Sequence, residues 1–196
     1  MDWEYWGKPL PGFGDPQGRI MILGLAPAAH GGNRTGRMFT GDGSAQFLMA
    51  SLHRFGFANN PTSESVSDGL QLKDAYMTAI VRCAPPKNKP KSNEIMNCSR
   101  YWTQEIRLLP NVQVVLALGR IVFDTYITFL KERSLESKDL KFRHGAFYEL
   151  PKPYPALCVS YHPSRQNTQT GKLTMKMFDG VFQKICTYLA AEHSNV

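Results

Sequence analysis

Residues 20–25, IMILGL, form an apolar run that leads directly into a loop rich in glycine. Continuous apolar character is typical of a parallel strand that is covered on both faces. Glycine in the following residues 31–42 lets the backbone turn sharply and approach a ligand closely. A helix is predicted to begin near Ser44. This order of strand, loop and helix places the loop at the carboxyl end of a sheet strand, where α/β folds bind ligands.

Further apolar runs alternate with amphipathic helical patterns along the chain. Strands are predicted at residues 75–81, 112–118 and 156–161, with a short edge strand within 142–150. Helices are predicted at residues 44–55, 92–109, 120–132 and 174–191, with Ser44 and Ser92 as N-caps of the first two. The alternation predicts a three-layer α/β/α fold around a central, mainly parallel four-stranded sheet. We expect one domain over residues 1–196, with residues 1–18 as an irregular N-terminal arm.

The chain is basic, with 23 Lys and Arg residues against 16 Asp and Glu residues and a formal net charge of +7. Such a charge suggests a polyanionic partner such as nucleic acid, although solvated lysines give many proteins a similar balance. The four cysteines are too few and too scattered for a disulfide scaffold. Because no signal peptide or membrane-length apolar run is present, we expect a cytoplasmic protein with no membrane partner.

Two further loops carry polar side chains suited to binding a ligand. His162 directly follows the last predicted strand, and the donors that come after it are of the types that contact phosphates and DNA grooves. The competing interpretation is a histidine that is satisfied by nearby backbone. Residues 82–92, RCAPPKNKPKS, form a stiff basic loop in which Asn88 lies among lysines. Neither a Walker A pattern nor a GxGxxG fingerprint follows the first strand, so the usual nucleotide motifs are absent.

Together these loops closely resemble family-5 (type B) uracil-DNA glycosylases. The matching motifs are GLAPAAHGGNRTGRMFTGD (24–42), VRCAPPKNKP (81–90), ALGR (117–120) and HPSRQNTQTG (162–171). The resemblance covers almost the whole chain. Family-4 enzymes share the GR-x-F-x-G frame and the HPS motif but carry an acidic pair where this chain has residues 28–32, which favours family 5. The resemblance implies a monofunctional glycosylase that flips a deaminated base out of DNA, cuts its N-glycosidic bond and leaves an abasic site for base excision repair.

The resemblance also implies the catalytic residues. His162 matches the histidine that hydrogen-bonds the base carbonyl beside the leaving nitrogen and stabilises the departing anion. Asp42, the only acid of the first loop, is the candidate to orient water or to stabilise the cationic sugar. The alternative is a structural Asp42 that caps the following helix, which leaves Asn33 as the other polar candidate. The position just after the first strand, where glycosylases usually carry an Asp or Asn, is Ala28 here.

A second set of residues is expected to bind the base and the DNA. Phe39 matches the aromatic residue on which the flipped base stacks, and Ala26, Ala28 and Asn88 complete the predicted base-binding set. The predicted DNA contacts are Arg34, Lys87, Lys89, Ser164, Arg165, Asn167 and Thr168. The loop around Arg165 would fill the gap left by the flipped base, and the lysines would contact phosphates, so that affinity falls with salt. The expected partner is double-stranded DNA, with single-stranded DNA as a second form, and the expected state is a monomer.

The family also carries a 4Fe–4S cluster on four cysteines. Cys83 and Cys98 match its last two ligands, whereas Cys158 lies in a predicted strand and Cys186 in the last predicted helix. The first two ligands belong to a segment that precedes the matching region. Either that segment is missing from this sequence, or this member has lost the cluster, since two thiolates alone do not hold a stable one.

The excised base is expected to be uracil, with hypoxanthine, xanthine and other deaminated bases as further substrates. A rival from another class is a protein that binds lesions in DNA without cutting. This interpretation stays open because Ala28 stands where glycosylases usually carry an Asp or Asn. A second rival is an α/β protein that binds a small nucleotide, which the basic loops and the absence of a phosphate-loop motif disfavour.

Overall fold

The computed structural model describes residues 5–135 and 139–193, so residues 1–4 of the predicted arm and residues 136–138 and 194–196 of the predicted domain lie outside it. In this part of the chain a single sheet is built in the order β1-β3-β2-β4-β6-β5. The strands are β1 (Phe13–Gly14), β2 (Ile20–Gly24), β3 (Ala75–Ala79), β4 (Val114–Leu118), β5 (Phe147–Tyr148) and β6 (Ala156–Ser160).

The four central strands are parallel and nearly all of their residues are buried. Ile22 of β2 lies opposite Met77 of β3 on one side and Leu116 of β4 on the other. Leu116 in turn lies opposite Cys158 of β6. Because the four strands run in the same direction, the loops that follow them all emerge at one edge of the sheet.

Helices cover both faces of this sheet. In chain order the helices of the described residues are α1 (Gly32–Thr35), α2 (Gly43–Arg54), α3 (Ser92–Leu108), α4 (Arg120–Lys131), α5 (Arg165–Gln169) and α6 (Met175–His193). The short helices α1 and α5 lie in the loops that follow β2 and β6, and the four longer helices form the two layers. Leu48 of α2 and Phe182 of α6 belong to the core on one face, while Trp102 of α3 and Tyr126 of α4 belong to the core on the other. The predicted three-layer α/β/α fold is therefore confirmed.

Several details differ from the prediction. The sheet of the described chain has six strands rather than four, because two antiparallel strands of two residues each extend its edges. The first, β1, lies inside the segment predicted to be an irregular arm, and the second, β5, is the predicted edge strand. Helix α2 is capped by Asp42 and not by Ser44, and α3 begins at Ser92 with Lys91 as its N-cap. The short helices α1 and α5 form within segments predicted to be loops.

The described part of the N-terminal arm is fastened to the loops at the carboxyl edge. The backbone N–H of Trp6 donates to the carbonyl of Asn33, at 2.8 Å. The buried guanidinium of Arg82 donates to the carbonyl of Leu10, at 2.7 Å, and the N–H of Leu10 donates back to the Arg82 carbonyl. Among the described residues, no helix has the length and apolar character needed to cross a membrane.

Candidate active site

A cleft of about 670 Å³ opens at the carboxyl edge of the sheet. A smaller cavity of about 50 Å³ lies beside it, and the two share Ala26, Ala28, Asp42, Ser44 and His162 in their walls. The cleft has the size of a ligand pocket. The polar and charged side chains that line it are His30, Asp42, Ser44, Asn88, His162, Ser164, Arg165 and Gln166. Three loops that are far apart in sequence therefore meet at one place.

Phe39 forms part of the wall of the small cavity, together with the apolar Met38 and Ala79. Its backbone is left-handed, with φ at 47°. A Cβ atom added to Gly24, the last residue of β2, would lie 2.6 Å from Cζ of the Phe39 ring. Glycine at this position lets the ring approach the end of the strand, and a flat aromatic surface in an apolar cavity is suited to stacking on a nucleobase.

Asp42 has a structural contact and also borders both cavities. Its Oδ1 accepts hydrogen bonds from the backbone N–H groups of Ser44, at 2.8 Å, and Ala45, at 2.9 Å, which caps α2. Its Oδ2 faces Gly31, where an added Cβ would collide with the carboxylate. The helix cap, which the sequence offered as the alternative to a catalytic role for Asp42, is therefore present. It fixes the carboxylate in the cavity wall and so does not exclude a chemical role.

His162 follows β6 and borders both cavities. Burial lowers the pKa of its imidazole, and the nearby charge of Asp42 acts in the opposite direction without cancelling the effect. The imidazole is therefore neutral at neutral pH and keeps one N–H to donate. The side-chain amide of Asn167 donates to the His162 carbonyl, at 2.8 Å, which fixes the backbone of this turn.

The residues after His162 form a short capped helix at the rim of the cleft. The Ser164 hydroxyl caps α5 by accepting from the N–H of Asn167, and the Thr168 hydroxyl donates to the Ser164 carbonyl, at 3.2 Å. Arg165 is exposed, and its Cγ and Nε would lie 3.4 Å from a Cβ atom added to Gly43. Ser164 and Arg165 line the cleft, whereas Asn167 and Thr168 do not belong to its lining.

The basic loop closes another side of the cleft. Residues Pro86–Asn88 form a 3₁₀ turn in which Lys87 and Asn88 both have left-handed backbones, with φ at 55° and 56°. Asn88 lines the cleft, and Lys87 and Lys89 are exposed beside it. Left-handed conformations are uncommon for residues with side chains, and they concentrate at functional sites.

Comparison with known proteins identifies the family of this chain. The model of the Uracil DNA glycosylase superfamily matches residues 11–186. The chain belongs to that superfamily. It is 52% identical over 174 residues to the Type-5 uracil-DNA glycosylase of Thermus thermophilus, which covers 89% of this chain and 77% of that protein.

The relatives within the superfamily differ in their similarity to the chain. The Type-5 uracil-DNA glycosylase of Pyrobaculum aerophilum is 41% identical over 182 residues, covering 93% of this chain and 77% of that protein. The Type-4 uracil-DNA glycosylase of the same organism is 29% identical over 164 residues, covering 82% of this chain and 74% of that protein. The predicted resemblance to family 5 is therefore confirmed.

Asn33 and Arg34, which were also predicted for the glycosylase site, lie outside the walls of both cavities. The backbone of Asn33 is held in α1, where its N–H donates to the carbonyl of Ala28. Arg34 donates from Nε to the carbonyl of His30, at 3.0 Å, and its Nη2 approaches Gly41. Both residues therefore belong to the glycine loop and not to the lining, so their predicted roles at this superfamily site stay predictions.

The structure also brings in residues that are outside the predicted catalytic, base-binding and DNA-binding sets. Ser44 borders both cavities, and Asp42 takes the capping position that was predicted for Ser44. His30 and Gln166 line the cleft, and Nδ1 of His30 lies 2.9 Å from the Tyr5 hydroxyl of the N-terminal arm. The polar character of His30 and Gln166 within the matched glycosylase motifs was the only signal that could have identified them.

The cysteines do not complete the cluster that the resemblance implies. Cys83 is exposed and Cys98 is partly buried, and burial, together with the neighbouring Cys98, raises the pKa of the Cys83 thiol. Cys158 is buried in β6, where burial raises its pKa to about 12, and Cys186 lies on α6. Within the described residues no three metal-ligating side chains come together. Two adjacent thiols do not fit a four-thiolate cluster.

Proposed function

We propose that this chain is a monofunctional uracil-DNA glycosylase that initiates base excision repair, and that its reaction takes place where the cleft meets the small cavity. The observation that carries the proposal is the meeting of Phe39, Asp42 and His162 in the wall of one small cavity. These side chains supply an aromatic surface, a carboxylate and a neutral imidazole. The chemistry of N-glycosidic cleavage requires groups of these kinds.

The base would lie where the cleft meets the small cavity, stacked on Phe39, with Ala26 and Ala28 in the shared wall and Asn88 on the side of the cleft. Cleavage develops positive charge on the sugar and negative charge on the departing base, as in other glycoside cleavages. The neutral imidazole of His162 would donate a hydrogen bond to the base carbonyl beside the leaving nitrogen. A donor placed where negative charge develops stabilises the transition state more than the ground state.

Asp42 would serve the sugar side of the reaction. Its Oδ1 is held by two backbone N–H groups, so the carboxylate has a fixed orientation in the cavity wall. A fixed carboxylate can stabilise an oxocarbenium-like sugar or orient the attacking water. We keep Asn33 as the alternative polar group, to be tested if Asp42 proves to be structural only.

The rims of the cleft would bind the DNA. Exposed Lys87 and Lys89 on one rim, and Ser164 and Arg165 on the other, are suited to contact phosphates beside the flipped nucleotide. Arg34, Asn167 and Thr168 are proposed to support the same surface. We propose that one domain acts as a monomer in the cytoplasm, on double-stranded DNA and also on single strands. Hypoxanthine and xanthine are proposed as further substrates, because residues 28–32 of the first loop lack the acidic pair of the family-4 enzymes and leave more room for a base.

Single-turnover cleavage tests the proposal. Duplexes with one U·G or one hypoxanthine·T pair, and a single strand with one uracil, are incubated with excess protein and treated with alkali to reveal abasic sites. We expect cleavage at uracil that is lost on His162→Ala. A chain that binds the uracil duplex but never cuts would support a lesion-binding protein. Binding that neither prefers DNA nor falls with salt would support a nucleotide-binding protein.

A further inference from the structure

The turn that carries Phe39 has a backbone that needs support from its surroundings. Phe39 has φ at 47° and Gly41 has φ at 79°. Glycine adopts such angles without cost, but a residue with a large side chain rarely does. A left-handed Phe persists only where neighbouring contacts fix the turn on both sides of it. The contacts at residues 37 and 40 do so.

The guanidinium of Arg37 links the two sides of this turn to a distant loop. It is buried, and its Nε donates to the Thr40 hydroxyl, at 2.9 Å. Its Nη2 donates to the Ser63 hydroxyl, at 2.9 Å, and to Oδ2 of Asp68, at 2.7 Å. Arg37 and Thr40 flank Phe39 in sequence, so one planar cation restrains the residues before and after it.

The loop over residues 63–68 completes the arrangement. The Ser63 hydroxyl lies 2.8 Å from the Thr40 hydroxyl, and the Ser63 carbonyl accepts from the N–H of Gly41, at 2.8 Å. Asp68 accepts from three backbone N–H groups of its own loop, those of Glu64, Ser65 and Leu70. Although burial acts in the opposite direction, these bonds and the one from Arg37 lower the pKa of Asp68 well below its usual range.

We propose that residues 63–68 and Arg37 form a clamp that sets the ring of Phe39 in the base-binding cavity, which makes Arg37 a positioning residue. The inference rests on the proposed function, because it assigns the clamp to the stacking of the flipped base. Arg37, Ser63 and Asp68 are absent from the linings of both cavities. Their effect on the reaction therefore passes through the turn and not through contact with DNA.

Arg37→Lys tests the clamp, because lysine keeps the charge but cannot form the planar fork. The single-turnover rate on a U·G duplex is measured at saturating protein and at a temperature where thermal unfolding shows the variant to be folded. We expect the rate to fall by about tenfold to a hundredfold, since small displacements of a reacting group have effects of this order. Affinity for an undamaged duplex should stay within about threefold of the parent.

Arg19→Lys is the matched control. Arg19 forms a forked ion pair with Asp74 beside the start of β2, at the opposite edge of the sheet from the cavities. This variant should be less stable than the parent and keep the parental rate. Thr40→Val, which removes a single hydroxyl, provides a milder clamp variant with the same expected direction if Arg37→Lys does not fold.

A double variant separates positioning from general damage. If Arg37 acts through Phe39, then Arg37→Lys/Phe39→Ala should cut within about twofold of Phe39→Ala alone. Rate reductions that multiply in the double variant, or a folded Arg37→Lys with the parental rate, would overturn the proposal. A parent that binds but never cuts refutes the proposed function instead. In that case the ratio of affinities for U·G and C·G duplexes reports base capture, and Arg37→Lys should lower that ratio if the clamp exists.

Discussion

Replacing Asp42 by Asn or by Ala should separate its structural contact from its chemistry. Oδ1 of Asp42 caps α2 through the N–H groups of Ser44 and Ala45, while Oδ2 faces Gly31 in the glycine loop. Asparagine keeps one acceptor oxygen and is as good an N-cap as aspartate. Alanine keeps neither the cap nor the charge. Both variants lack the carboxylate, so they should share a catalytic defect while differing in stability.

The expected sizes follow from these interactions. Asp42→Asn removes only the attraction between a negative charge and the helix N-terminus, about 0.3–1 kcal/mol. Asp42→Ala removes in addition the capping hydrogen bonds, about 0.5–2 kcal/mol. For a chain of this length about 1 kcal/mol corresponds to roughly 2–4 °C in Tm. If the carboxylate takes part in the reaction, the rate should fall by about a hundredfold to ten-thousandfold in both variants.

The assay compares thermal unfolding with single-turnover cleavage of a U·G duplex. Rates are taken at a temperature where parent and both variants are folded, with protein in excess over DNA. We expect Asp42→Asn to be nearly as stable as the parent and almost inactive. If Asp42→Asn instead cuts within about threefold of the parent, the carboxylate is structural only, and Asn33→Ala becomes the next variant to test.

The remaining predictions concern Gly24 beneath the Phe39 ring, the two lysines at the rim of the cleft, and the imidazole of His162. Gly24→Ala should displace the Phe39 ring, because the new Cβ would lie 2.6 Å from it, and cleavage should slow by about tenfold or more. Gly180→Ala is the control and should keep the parental rate, since nothing lies within 4 Å of its new Cβ. A Gly24→Ala enzyme with the parental rate would refute the stacking assignment. Replacing both lysines of residues 87–89 by Gln should make DNA affinity less dependent on salt. In an anisotropy titration, the slope of log affinity against log salt should fall by about 0.9 for each phosphate that the variant no longer neutralises. An unchanged slope would show that the two lysines do not contact phosphates. Because burial lowers the pKa of His162 from its usual 6.5, its neutral form persists as the pH falls to that value. The cleavage rate and the contribution of neutral His162 to folding stability should both decline only at lower pH. A rate that already falls between about pH 8 and pH 7 would contradict a neutral donor.

The central strands could be predicted because apolar residues dominate each of them. The residues of β2 and β4 are all buried, and such runs predict buried parallel strands without further information. The edge strand β1 could not be predicted, since two residues, Phe13 and Gly14, carry no periodicity. It forms because the backbone of β3 offers hydrogen bonds along that edge. Pairing of this kind depends on tertiary context and not on local sequence.

The capping residue of α2 shows a second limit of sequence reasoning. Asp42 and Ser44 are both favourable N-caps, and their side chains offer oxygen acceptors only two positions apart. The structure selects Asp42, whose backbone is extended, with φ at −138° and ψ at 170°, while Ser44 lies in the first turn. The contact of Arg37 with Asp68 was likewise beyond the sequence, since Asp68 is 31 residues away in a loop with no motif.

The proposed reaction places opposite electrostatic demands on the carboxylate of Asp42 and the imidazole of His162, and the structure holds these two groups differently. Asp42 accepts hydrogen bonds from two backbone N–H groups at the N-terminus of α2. The pKa of His162 is lowered by burial, so its uncharged form is favoured although an anion lies nearby. A charged carboxylate suits the cationic sugar, and a neutral donor can stabilise the anionic base without first forming an ion pair with Asp42. Protonating His162 would favour an ion pair with Asp42 and weaken both proposed roles at once.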